Sequence, residues 1–85
     1  MGVRVHPRVA ARHPEVRPDD AIAAFEAALC SRARDTDPVT HVGVGIDGHG
    51  RLLQFVAVEE RPDEWLVYHC MPATKAALKE LGLGR

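Results

Sequence analysis

Long hydrophobic runs are missing from this sequence. Its apolar stretches are broken by Glu26, Gln54 and Glu59, and none approaches the ~20 residues that a membrane-spanning helix needs. Cysteine is scarce, with Cys30 and Cys70 the two present. The opening residues, Met1 to Val9, carry charge but no apolar core of an export signal, so a cytoplasmic setting is expected. Two cysteines in that setting make no disulfide framework. The single serine, Ser31, follows a helical pattern in a polar segment, which excludes a nucleophile elbow. Net charge is also nearly absent: the formal sum is −1, whereas a dedicated nucleic-acid binder usually shows an evident basic excess.

What is present is ordinary for a folded domain. Hydrophobic residues make up 46% and charged residues 27% of the 85, which matches globular averages and excludes a disordered or collagen-like chain. A chain of this length buries only ~60–65% of its unfolded surface, enough for one modest core. A single domain over residues 1–85 is expected, without repeats or linkers.

The near-zero charge is unevenly spread. Residues 1–17 carry Arg4, Arg8, Arg12 and Arg17 against Glu15, a net of +3, whereas residues 35–64 sum to −5. A basic arm faces an acidic middle, and the arm suffices for a local positive patch.

Val3 and Val5 alternate around Arg4 as in a short strand. Pro7 suits the first position of a short helix that Pro14 stops. Pro18-Asp19-Asp20 opens the clearest helix, since Pro is preorganised for the first turn and the carboxylates complement the helix dipole. Ile22, Phe25 and Leu29 form its stripe, and the polar run from Ser31 to Pro38 ends it. Val42, Val44 and Ile46 then alternate, Asp47-Gly48-His49-Gly50 turns, and Leu52 to Val58 and Trp65 to Cys70 complete an antiparallel meander. A last helix opens at Pro72, and Gly82 stands where a left-handed cap is expected, with Leu83 packing back on Leu78. The expected fold is α+β, a small antiparallel sheet with helices on one face in the order β-α-α-β-β-β-α.

Pairing Ile46 with Arg51 and Glu59 with Trp65 puts Val42, Val44, Ile46, Leu53, Phe55, Ala57, Trp65, Val67 and His69 on the helix-covered face. His41, Gly43, Gly45, Gln54, Val56, Tyr68 and Cys70 fall on the open one, where two glycines leave a hollow suited to contact with a partner. A one-residue slip would exchange the faces.

Five histidines and two cysteines show neither Cys-x-x-Cys nor His-x-x-x-His spacing, so no metal or cofactor is expected. The glycine run joins two strands rather than leading into a helix, which excludes a phosphate loop. What remains is acid–base chemistry of the metal-independent kind that cleaves RNA, needing a base, an acid and a cation. The available parts are His41, Tyr68 and His69 on strands, Arg51 at a strand start and Lys75 on the last helix. Arg4, Arg8 and Arg12 would hold phosphates without reading sequence.

The element order, the stretch HPEVRPDDAIAAFEAAL, the strand Gly50-Arg51-Leu52-Leu53-Gln54-Phe55-Val56 and the helix entry Ala73-Thr74 together resemble the BrnT-like branch of the RelE/ParE superfamily of bacterial toxins. The resemblance spans nearly the whole chain, with Met71-Pro72 standing where the family has a basic pair. It implies a toxin of a type II toxin–antitoxin system that cleaves messenger RNA, free or on the ribosome, and is restrained by a cognate antitoxin protein. By position it carries over Arg51 as a functional arginine. The alternative from the residues is a non-catalytic interaction module, a homodimer or partner-binding domain, favoured by the neutral charge. A small-molecule-binding domain rests only on Gly43 and Gly45.

Overall fold

The computed structural model describes residues 2–83; Met1, Gly84 and Arg85, at the ends of the expected domain, lie outside them. The elements run β1 (Gly2–Val5), α1 (Arg8–Arg12), α2 (Pro18–Glu26), β2 (Ala28–Arg34), β3 (Thr40–Ile46), β4 (Leu52–Arg61), β5 (Glu64–Pro72) and α3 (Lys75–Glu80). The strands form one five-stranded sheet in the order β1-β5-β4-β3-β2. The α+β class therefore stands, and five details of the expected architecture are corrected, three in the sheet and two in the placing of the helices.

The first is an extra strand. α2 begins as its sequence signals: Pro18 opens it, Asp19 and Asp20 fill its first turn, and Asp20 reaches back to accept from the Arg17 backbone N–H at 3.0 Å. It stops at Glu26, however, and the chain turns at Ala27 directly into β2. Leu29, assigned to the helical stripe, is instead 55% exposed on that strand. Pairing with β3 overrides the local pattern, and an edge strand exposed on both sides needs no hydrophobic alternation. The second correction is that the sheet is mixed, because β1 pairs parallel to β5, Val3 beside Trp65 and Val5 beside Val67.

The third concerns the faces. Ile46 pairs with Leu52, not Arg51, because the turn holds five residues: Asp47 N–H donates to Arg51 O at 3.0 Å, and Gly50 adopts φ +80°. His41, Gly43 and Gly45 consequently share the face of Leu53, Phe55 and Ala57, under α2. Gly45 makes room for Ala24 of the helix and Gly43 for the Phe55 ring, so neither leaves a hollow for a partner. A bulge at Tyr68 between Val67 and His69 keeps Glu59 opposite Trp65 but pairs His69 with Val56 and Cys70 with Phe55. Cys70 enters the core and His69 leaves it.

The main core lies between α1–α2 and the sheet, built from Val9, Val16, Ala21, Ala24, Leu53, Phe55, Ala57, Val67 and Cys70. α3 covers the opposite face, so the helices do not share one side. α3 opens at Lys75 rather than at Pro72, which ends β5. Its cap, Thr74, donates from N and Oγ1 to Gln54 Oε1 at 2.9 and 3.0 Å, and Arg34 bonds Glu80 at 2.6 Å. Buried Val44 and Leu81 belong to this second layer, where Cys30 Sγ lies 3.4 Å from Leu81 O. The C-terminal cap is as expected, with Gly82 at φ +76° and Leu83 N–H bonded to Leu78 O at 2.8 Å.

Candidate functional site

The structure does not bring all the expected residues together. Arg51 lies in the β3–β4 turn, where its side chain is consumed by a clamp. Nε donates to Asp47 Oδ2 at 2.7 Å, Nη2 to Asp20 Oδ2 at 3.1 Å and Nη1 to Glu15 O at 3.0 Å. Both aspartates are buried, and His49 Nε2 stands 3.4 Å from the other Asp20 oxygen. Burial pushes the Asp47 carboxyl up, but hydrogen bonds from the Arg51 and His49 backbone and from the guanidinium outweigh it and hold the group below the ordinary range. The bond to Asp47 in turn raises Arg51. This cluster ties the start of α2 to the hairpin turn and leaves Arg51 little to offer a ligand. Its sequence signal is the opposite-charge pair at positions 47 and 51 across a glycine turn.

His41 lies on the α2 face, half-buried and edge-on to Trp65 with ring centroids 4.9 Å apart. Tyr68 lies on the opposite face in an open groove of about 600 Å³, lined also by Arg34, Thr40, Val42, Val56 and Val58. Lys75 is exposed at the start of α3. Arg4, exposed on β1, is paired with Glu60.

The remaining candidates do converge. β1 reaches only Val67 of β5, where His6 N–H donates to Val67 O at 2.8 Å. Beyond that point α1 takes the place of a strand along β5, bringing the chain that follows it beside His69. His13, which the sequence reading passed over, meets the His69 ring edge-on with centroids 6.0 Å apart. Partial burial, then the nearby positive groups His13, Arg8 and Arg12, hold the His69 ring below its ordinary 6.5. His13 Nδ1 lies 3.9 Å from Glu15 Oε1. The only sequence mark on His13 is its place before Pro14 at the end of α1.

Two half-buried imidazoles can give and take a proton at one bound group, and the charge of Arg8 and Arg12 on α1, which reaches His69, favours an anion. Cys70 offers no nucleophile, since burial pushes its thiol up to about 12. Among the described residues no group of three or more His, Cys, Asp or Glu could hold a metal ion, and no helix is long and apolar enough to cross a membrane. Compared with known protein families, with curated proteins and with solved structures, the chain matches none.

Proposed function

We propose that the protein is a toxin-like, metal-independent endoribonuclease whose chemistry resides in His13 and His69. The observation that carries this reading is the edge-on histidine pair with centroids 6.0 Å apart. His69, kept neutral at pH 7, takes the proton of a ribose 2′-hydroxyl. The 2′-oxygen attacks phosphorus, the bond to the 5′-oxygen breaks, and His13 returns a proton to that leaving oxygen, giving a 2′,3′-cyclic phosphate. Arg8 and Arg12 offset the charge gathering on the phosphate oxygens. Arg51, the residue the toxin resemblance singles out, acts in this scheme only by holding α2 against the hairpin.

The test is cleavage of single-stranded RNA by the pure protein, with and without ribosomes. His69→Gln and His13→Ala are each expected to slow it by ~10²–10⁴-fold, the usual worth of one general acid or base. Intact RNA in the wild-type reaction, or full activity in both variants, overturns the proposal.

A second reading, a non-catalytic module, is favoured by the sheet face that α3 leaves uncovered. One cross-strand row there runs Arg4, Leu66, Val58, Thr40, Arg34, with Val56, Val42 and Tyr68 beside it. An apolar floor flanked by the ion pairs Arg4–Glu60 and Arg34–Glu80 suits a protein segment with apolar side chains at its centre and polar ones at its rim, the part a cognate antitoxin would play. Capture of a native partner that Val58→Asp abolishes, with RNA left intact, would favour this reading. A doubled mass in solution would point to a homodimer instead.

A further inference from the structure

On the α2 face, away from the histidine pair, lies a hollow of about 280 Å³ lined by Phe25, Ala28, Ser31, His41, Phe55 and Trp65. Its origin is in the sequence. Ala28 and Ser31, two of its lining residues, are small, whereas the space over Gly43 is taken by the Phe55 ring. The small residues leave a gap that Phe25 of α2 roofs without filling. Phe25 packs against Phe55 with centroids 5.3 Å apart and against Trp65 at 5.4 Å, while His41 stands edge-on to Trp65. Ser31 and Ala28, both exposed, lie toward the free edge of the sheet on β2.

We infer that this hollow binds one planar, neutral heteroaromatic ring system of about purine size. Aromatic walls favour a flat π-surface, and a concave apolar pocket with a few convergent polar groups is the usual form of a small-molecule site. The polar groups are the Ser31 hydroxyl and the His41 imidazole. Neither makes a hydrogen bond within the protein among the described residues, so both are free to address the edge of a ring. No lining residue carries a fixed charge, which disfavours a phosphate or carboxylate inside the hollow. The volume is nearly twice the ~150 Å³ that accommodates benzene, hence a bicyclic ring. Such a ring arrives either as a free nucleobase or nucleoside or as one unstacked base of a strand, which aromatic side chains commonly receive.

Trp65 is the only tryptophan and lines the hollow, so its fluorescence reports occupancy directly. Adenosine and guanosine are titrated against the full chain, with ribose as the non-aromatic control and an uncleavable all-2′-O-methyl hexanucleotide as the strand. A saturable change with a nucleoside, half-complete at ~1 mM or below, and none with ribose is expected for so small a ligand. Ala28→Phe, which fills the mouth from an exposed position, is expected to weaken it at least ~10-fold, a typical loss for a blocked or mismatched pocket. In the wild type, the NMR signals of the His41 ring and Trp65 indole should shift while those of Tyr68 stay. Tighter binding of the hexanucleotide assigns the ring to a strand, and equal or weaker binding assigns it to a free heterocycle. No saturable response to any nucleoside, or shifts centred on Tyr68, overturns the inference. The nucleoside arm involves no cleavage, so a protein that leaves RNA intact can still pass it.

Discussion

Gly45→Ala tests the sheet register through a single methyl group. A Cβ at this position would lie 1.8 Å from the Ala24 carbonyl oxygen and 2.6 Å from its carbon, both backbone atoms of α2. Real Cβ atoms essentially never approach within 3.0 Å, so the helix must retreat by about 1.2 Å. A gap of ~0.5–1 Å already forfeits a quarter to a half of each dispersion contact. Ala21 and Ala24 would therefore loosen against Leu53 and Phe55, all at 2% exposure or less. Overpacking alone costs ~1–3 kcal/mol, and the displaced helix places the total near the top of that range, about 3 kcal/mol. Against a stability of roughly 4–13 kcal/mol for a chain this size, that is a large fraction. Urea unfolding followed by Trp65 fluorescence should show a midpoint lower by ~1–3 M for a slope of ~1–3 kcal/mol/M. Gly48→Ala is the control: nothing lies within 4 Å of its added Cβ, and it should remain within ~0.5 kcal/mol of wild type. A Gly45→Ala protein as stable as that control would refute the packing of α2 on Gly45. It would return the glycines to the outer face, as the sequence first suggested.

Thr74→Ala removes the α3 cap and one of the two bonds to Gln54, with an expected loss of ~1 kcal/mol in urea melts and faster amide exchange in α3. The Asp47 carboxyl sits below its ordinary 3.8 in the folded chain; its stabilisation is whole above that pH and disappears as pH falls through the folded value. Asp47→Asn should therefore flatten the acid limb of a stability–pH curve below about pH 4. His69 is held below 6.5, so the unfolded chain takes up its proton first and stability declines as pH falls below 6.5. His69→Gln removes that limb, and an unchanged curve would contradict the burial that lowers the ring. With its thiol pushed up to about 12, Cys70 in a Cys30→Ala background should resist iodoacetamide at pH 8 until urea unfolds the chain.

The local signals in this sequence were readable where side chains act on their own backbone. Pro18, Asp19 and Asp20 mark the start of α2, Gly82 marks the end of α3, and the alternations around Val44, Phe55 and Val67 mark three strands. β2 was illegible because Arg32, Ala33 and Arg34 face solvent, leaving no hydrophobic period to detect. The sheet faces depended on whether Arg51 belongs to a strand or to the turn, a one-residue matter decided by its bonds to Asp47 and Asp20. At the site, His69, Arg8 and Arg12 could be named from their chemistry, but not their common location. That follows from β1 pairing parallel to β5, a long-range contact no local pattern encodes, and it is also why His13 escaped notice.

The same parallel pair dictates when the molecule can be finished. Gly2 lies beside Glu64, 62 residues later in the chain. Hairpins β2–β3, β3–β4 and β4–β5 join neighbours in sequence and close early, whereas β1 must wait for a strand near the other end. During synthesis β1, which is made before β5, has no place to dock until β5 has emerged. A chain halted in β4 would hold Leu53 and Phe55 on a sheet lacking one neighbour, with His13 present and His69 not yet made. The histidine pair thus exists only once β5 has been made.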